Sequence, residues 1–193
     1  MKIMNNEQLN ALKERAYNIA VAHGFHEDIK PNAYYLGLVM SEMGEAINAD
    51  RKGDHADTKG FEDGLAKFPP TDCFNAYIKD SLEDEIADIV IRLLDFAGLK
   101  GFKLSIIQEE DYDPTHFLSC IDKYMLPGFF FALIGVISYA SSKHVLGNYI
   151  CSVIGVLSDC FGKMTGSDKD LWWFVEKKMQ YNELRPKLNG KKY

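Results

Sequence analysis

Apolar residues recur at three- and four-residue steps along most of the chain, which is the spacing of amphipathic α-helices. The sequence lacks the every-second-residue alternation that is typical of a half-buried β-strand. We predict helices at about residues 6–23, 32–53, 81–98, 115–143, 146–163 and 168–185. The pattern therefore predicts an all-α protein built as a bundle of about five to six helices.

The predicted helices are interrupted at two places. Residues 54–79 carry two glycines and two prolines among scattered charges, and a connection of this length is uncommon inside a compact domain unless it has a function. We interpret it as an insertion and a candidate lid. Pro127 lies inside the apolar helix at 115–143, where a proline should kink or restart the helix.

A chain of 193 residues supports one core of moderate size, so we predict a single domain over residues 1–193. Its three parts are a motif-bearing half, an apolar helical block, and a C-terminal helix and tail, at about 1–100, 115–164 and 168–193.

One segment resembles a later one. Residues 86–98 align with 150–162 through four identities, Ile86/Ile150, Leu93/Leu157, Asp95/Asp159 and Gly98/Gly162. A degenerate internal duplication is one interpretation. Two unrelated core helices of similar composition are the other.

Composition and charge exclude several classes of function. With 22 Lys and Arg against 28 Asp and Glu, the chain has a net charge of −6, which argues against duplex nucleic acid or an anionic membrane as a partner. The four cysteines form no C-x-x-C pair, so we interpret them as reduced thiols of a cytosolic protein. The polar first ten residues predict no signal peptide, and the longest apolar stretch is shorter than the roughly 20 residues that span a bilayer. We therefore expect a cytoplasmic protein.

Two pairs of carboxylates occur on separate predicted helices, Glu42-x-x-Glu45 and Glu85-x-x-Asp88. Residues three apart lie side by side on one helix face. Both pairs are set among apolar residues, where a carboxylate is costly to bury without a compensating cation. If the two helices pack against each other, the four carboxylates converge and a multivalent cation is the natural partner. The alternative is that both pairs lie on ordinary solvated faces.

The types of ligand select the metal. A di-iron bundle would need Glu-x-x-His motifs, and none of the five histidines follows a Glu at that spacing. Oxygen ligands alone favour a hard cation. We therefore expect Mg²⁺ or Mn²⁺, with water completing the octahedron and phosphate oxygens as substrate ligands.

A complementary set of donors lies near the C-terminus. Lys178, Asn182 and Arg185 fall at i, i+4 and i+7 on one helix face, a stripe that suits a polyphosphate held between a metal and cations. The alternative is a solubilising basic tail with favourable charges at a helix C-terminus.

These motifs, in this order, resemble those of the MazG-like all-α nucleoside triphosphate pyrophosphohydrolases. The matching segments read Glu42-x-x-Glu45, Glu85-Ile-Ala-Asp88-Ile-Val and Lys178-x-x-x-Asn182-x-x-Arg185-Pro. Relatives in that superfamily are the dimeric dUTPases and phosphoribosyl-ATP pyrophosphohydrolase. The chain departs from the pattern at Ser41, where many members have a further Glu, and at Asn189, where the tail often has His.

The resemblance implies Mg²⁺-dependent attack of water between the α- and β-phosphates of a nucleoside triphosphate, giving a nucleoside monophosphate and pyrophosphate in nucleotide-pool house-cleaning. The metal ligands implied by motif position are Glu42, Glu45, Glu85 and Asp88. One of the first two would also orient or deprotonate the water. The phosphate contacts implied in the same way are Lys178, Asn182 and Arg185. A homodimer is the expected assembly.

Two other interpretations stay open at this point. The chain is then either a catalytically inactive helical module that binds nucleotide or a protein partner, with the aromatic clusters at 129–131 and 172–173 as its interface, or a purely structural bundle. In the structural bundle the carboxylates would form salt bridges to Arg51, Lys52 or Arg92. Candidates for stacking on a base are Tyr34, Tyr35, Phe61, Phe68 and Phe74, although core packing is the commoner fate of such residues.

Overall fold

The computed structural model describes residues 4–106, 114–143 and 146–186. Within these ranges every regular element is an α-helix, which confirms the predicted fold class, and there are eight helices rather than five to six. In chain order they are α1 (Asn6–Ala22), α2 (Asn32–Lys52), α3 (Thr58–Gly64), α4 (Pro70–Tyr77), α5 (Leu82–Leu99), α6 (Pro114–Lys143), α7 (Leu146–Thr165) and α8 (Leu171–Glu183). None of the described helices is both long and apolar enough to cross a membrane.

Local capping signals set the ends of the principal helices. Asn5 and Gln8 form a reciprocal capping box at the start of α1, and the Ser81 and Asp170 side chains each accept a backbone N–H in the first turn of α5 and α8. Gly53 ends α2 in the left-handed conformation, with φ of 72°, which glycine adopts at no steric cost. Because these signals are local, the predicted ends of these helices lie close to the observed ones.

Helix α5 lies at the centre of the fold. It packs against α1, α2, α7 and α8, while α6 packs on α7 and also contacts α2. Apolar side chains such as Ile86, Val90 and Leu93 are fully buried along its length. Every polar residue of α5 is therefore close to the core, and its carboxylates cannot all face bulk water.

The prediction of a long loop at residues 54–79 is wrong, because this segment contains α3 and α4. Phe61 and Phe74 within it are buried in the core, and the Glu83 carboxylate accepts a hydrogen bond from the Ala56 N–H near its start. Helices of seven and eight residues make only about two turns, too few for a repeating apolar pattern to stand out. The segment is packed scaffold that contacts α8.

The apolar helix α6 is interrupted where the sequence predicts. Met125, two residues before Pro127, has φ of 58° and breaks the regular helical geometry, because proline excludes the preceding residues from a continuous helix. Phe129 and Phe130 are buried in the core, whereas Phe131 is 78% exposed. Two of the three phenylalanines are thus core residues rather than interface.

Three further sequence predictions concern the tail, the cysteines and the suggested duplication. The tail residues Lys187, Asn189, Lys191 and Lys192 lie outside the described part of the chain. Cys73, Cys151 and Cys160 are buried free thiols. Helix α7 lies beside α5, but adjacency does not distinguish a decayed duplicate from an unrelated core helix, so both interpretations remain.

Candidate metal centre and phosphate-binding cavity

The contact between α2 and α5 brings together carboxylates that are far apart in sequence. Glu42, Glu45 and Glu85 each offer a carboxylate oxygen, and these oxygens all lie within 4.8 Å of one another. Glu42 and Glu85 are each 5% exposed, while Glu45 is exposed at the edge of the group. Three of the four predicted metal ligands therefore form one cluster, open to solvent on the Glu45 side.

Asp88, the fourth predicted ligand, faces the same space but is already paired. Its carboxylate lies 2.8 Å from the Lys178 ammonium, and its side chain is 21% exposed. Because Asp88 is one helical turn after Glu85, the two share a face of α5.

A single cavity joins the carboxylates to the donors of α8. It has a volume of about 230 Å³ and is lined by all seven residues that the sequence motifs singled out: Glu42, Glu45, Glu85, Asp88, Lys178, Asn182 and Arg185. Apolar side chains of α1, the turn after it and α5 also line it, namely Ala16, Ile19, Ala20, Phe25 and Ile91. The cavity thus combines charged and apolar lining residues.

Lys178 lies inside the carboxylate group rather than free on the cavity wall. Its ammonium is 2.7 Å from Asp84 and 2.8 Å from Asp88, and the residue is only 5% exposed. Burial alone would lower the pKa of Lys178, but the two carboxylates outweigh burial and raise it. The contact of Lys178 with a phosphate, implied by the motif, stays a prediction.

A second internal cation pairs with the first predicted ligand. The Arg92 Nε donates to Glu42 at 3.0 Å, so one salt bridge expected for a structural bundle is present. Further along α5, Asp95 bonds His26 at 2.6 Å. The Arg92 contact orients the side chain of Glu42. Neither contact supplies a cationic partner for Glu45 or Glu85.

The other two predicted phosphate contacts, Asn182 and Arg185, lie at the end of α8. Asn182 Oδ1 is buried without a hydrogen-bond partner among the described residues. The Arg185 guanidinium lies 5.6 Å from the centre of the Tyr181 ring, while its backbone carbonyl contacts His23 at 2.8 Å. The backbone of Arg185 is therefore anchored to α1, which keeps this end of α8 at the cavity.

Burial and crowding of like charges shift the carboxyl groups towards their protonated forms. Burial, then the charges of Asp88 and Asp84, raises the pKa of Glu85 to about 8. Burial also raises the pKa of Asp84 to about 6, against the opposing effect of Lys178. The pKa of Glu42 is raised by burial and by Asp88, although Arg92 opposes the shift. Lys178 and Arg92 therefore do not fully compensate the carboxylates of the metal-free site.

The arrangement fits a hard divalent cation. The Glu85 Oε2 atom is buried and has no hydrogen-bond partner among the described residues, which is costly for a carboxylate. The clustered ligands are all carboxylate oxygens, as Mg²⁺ and Mn²⁺ prefer. Glu42, Glu45 and Glu85 are the residues that would hold such an ion, with Asp88 beside them.

The raised pKa of Glu85 predicts how the stability of the metal-free protein depends on pH. The folded state binds this proton more tightly than the unfolded chain, whose Glu85 has its ordinary pKa of 4.5. The resulting stabilisation is complete below that value and is lost as pH rises through about 8. We expect the melting temperature in the presence of chelator to fall between about pH 6 and pH 8.5, and we expect Glu85→Gln to flatten this slope.

The measurement is a series of thermal melts across that pH range for wild type and Glu85→Gln. The two proteins differ only at residue 85, so a difference between their slopes reports on the Glu85 carboxyl group. Equal slopes in the two proteins would contradict the assignment.

Sequence reasoning missed part of this site. Asp84 is not among the predicted site residues, although its position four residues before Asp88 puts it on the same helix face. The cavity aromatics are Phe25 and Tyr181. Among the proposed stacking residues, Tyr35, Phe61 and Phe74 are core residues and Phe68 is 56% exposed. Tyr181 was detectable from its spacing after Lys178, whereas nothing in the sequence marks Phe25.

Comparison with known proteins adds no identification, since no protein-family model, curated protein or solved structure matches this chain.

Proposed function

We propose that this protein is a Mg²⁺-dependent nucleoside triphosphate pyrophosphohydrolase, which cleaves between the α- and β-phosphates and releases a nucleoside monophosphate and pyrophosphate. The observation that supports the proposal best is the shared cavity. Residues from three separated motifs, on α2, α5 and the end of α8, line one space that contains four carboxylates together with Arg185 and Asn182. A polyphosphate needs both a metal and cationic donors, and this cavity offers groups for each.

Glu42, Glu45, Glu85 and Asp88 would hold the metal. A divalent cation held by these residues would supply charge neutralisation at the phosphate oxygens and a lower pKa for a coordinated water. Glu45 is the most exposed of the cluster, so it is the carboxylate we assign to accept the proton of the attacking water. Arg92 holds Glu42 in place, and Arg185 with Asn182 would orient the phosphates.

The apolar lining residues of the cavity are candidates for the nucleoside contact. With the phosphates held by the carboxylate-bound metal and Arg185, the nucleoside would lie against Phe25, Ile19 and Ile91. Burying a base against such a wall is favourable because apolar surface leaves water. We further propose a cytoplasmic, homodimeric enzyme that acts in nucleotide-pool house-cleaning.

The deciding experiment is a pyrophosphate-release screen over standard, deoxy and modified nucleoside triphosphates, with Mg²⁺ and with chelator. We expect monophosphate and pyrophosphate in equal amounts and only in the presence of metal. Release of orthophosphate instead would place cleavage at the other anhydride and contradict the proposal. A nucleotide that raises the melting temperature without being hydrolysed would favour the inactive binding module.

Arg185→Ala tests the phosphate side of the cavity. Loss of a charge-assisted contact should raise the Michaelis constant for the nucleotide about tenfold or more, with a smaller effect on Mg²⁺ affinity. The backbone carbonyl that binds His23 is unaffected by the substitution. Arg51→Ala, at an exposed position outside the cavity, removes the same charge and serves as the control. An unchanged Michaelis constant in Arg185→Ala would count against a phosphate role.

A further inference from the structure

The Lys178 ammonium is enclosed on several sides. Asp84 and Asp88 accept from it at 2.7 Å and 2.8 Å, and the Phe74 ring centre lies 5.6 Å away. Three N–H donors are available to an ammonium, and at least two are directed to carboxylates here. Lys178 therefore acts as a counter-ion within the carboxylate group.

The two carboxylates that hold Lys178 differ in their surroundings. The Asp84 side chain is 1% exposed, and its Oδ2 also accepts the Asp80 backbone N–H at 3.0 Å. Asp88 is 21% exposed and lines the cavity. Asp84 is thus an enclosed anchor for the ammonium, whereas Asp88 is the partner that an incoming cation can reach.

We propose that Lys178 is the resident counter-ion of the metal-free site, and that it gives up Asp88 to an incoming divalent cation while Asp84 retains the ammonium. This inference rests on the metal site of the proposed function. It gives Lys178 the role of a positioning residue, which keeps Asp88 paired and in place when no metal is present. It also means that the ammonium and the metal compete for Asp88.

Competition predicts opposite effects for the two single variants. Lys178→Met removes the competitor, so Mg²⁺ should bind more tightly while the chelated protein melts at a lower temperature, since Asp84 and Asp88 are then unpaired. Asp84→Asn removes the anchor, so Lys178 depends on Asp88 alone and Mg²⁺ should bind more weakly.

The double variant Asp84→Asn with Lys178→Met distinguishes direct competition for Asp88 from the effect of changing the total charge around the metal site. It removes one charge of each sign, so the net charge of the site is unchanged, and only Asp88, which is 21% exposed, loses its cation. We expect it to bind Mg²⁺ about fivefold more tightly than wild type, because nothing competes for Asp88. Lys177→Met is the matched control: it removes a neighbouring ammonium on α8 that contacts Gln180 and Trp173.

The measurements are calorimetric titration of the full chain with Mg²⁺ after chelator treatment, and melting temperatures with and without Mg²⁺. Wild-type affinity in the double variant would overturn the competition while leaving the proposed function intact. Absence of Mg²⁺ binding in wild type and all variants would overturn both the inference and the metal site beneath it.

Discussion

Glu42→Gln should abolish turnover, with kcat reduced about 100-fold or more, because even the groups that only support metal ligands contribute up to about 100-fold. Glu42 is 5% exposed and belongs to the cluster with Glu45 and Glu85, so the substitution removes a charge that the proposed metal ion would need. The fold should survive, because the new amide oxygen can still accept from Arg92. The checks are pyrophosphate release at saturating Mg²⁺ and the helical circular dichroism, which should be unchanged.

Asp88→Asn should also abolish turnover, because it removes another predicted metal ligand. The fold should survive, since Lys178 keeps Asp84 as its partner. The control is Asp50→Asn, a substitution of the same kind on α2 at a position that does not line the cavity. It should retain turnover. Wild-type activity in either Glu42→Gln or Asp88→Asn would remove that residue from the site, whatever the metal dependence.

Gly98→Ala should be destabilising although it adds only one methyl group, because α1 packs closely against α5 at Gly98. A Cβ at Gly98 would lie 2.6 Å from the Tyr17 Cβ and 3.3 Å from the Lys13 carbonyl oxygen. Neither atom is the end of a flexible side chain, so α1 must move. Overpacking of this kind costs about 1–3 kcal/mol, and it displaces Ala16, Ile19 and Ala20 of the cavity wall. Chemical denaturation should show the loss, and the Michaelis constant should rise with it.

Gly162→Ala is the informative comparison, because Gly162 aligns with Gly98 in the suggested duplication. A Cβ at Gly162 meets no described neighbour within 4 Å, and Gly inside a helix costs about 0.5–1 kcal/mol relative to Ala. We therefore expect this variant to be slightly more stable than wild type. A destabilised Gly162→Ala, or a neutral Gly98→Ala, would contradict the packing described for these two helices.

The helices could be predicted largely from the sequence, with limits that have physical causes. Caps such as Asn5, Ser81 and Asp170 act within a single turn, so they are readable from neighbouring residues alone. Helices α3 and α4 were missed because about two turns do not establish a period. They are stabilised by the burial of Phe61 and Phe74, which depends on the rest of the fold.

Part of the candidate site could likewise be predicted from the sequence, and part depends on the packing of helices. Helical spacing alone placed Glu42 beside Glu45 and Glu85 beside Asp88, because residues three apart share a helix face. Whether the two pairs meet depends on how α2 packs on α5, which is a contact between distant segments. The same packing sets how deeply each carboxylate is buried and hence its pKa.

The sequence by itself determined that this protein is α-helical, acidic, and equipped with two carboxylate pairs and a late stripe of donors. Only the tertiary structure decided that all seven residues share one cavity, that Lys178 turns inward between Asp84 and Asp88, and that Arg92 holds Glu42. The reason is the sequence separation of the interacting residues. Periodicity and capping act over a few residues along one helix, whereas pairing of charges across helices is fixed by the packing of segments that lie 50 to 94 positions apart in the chain.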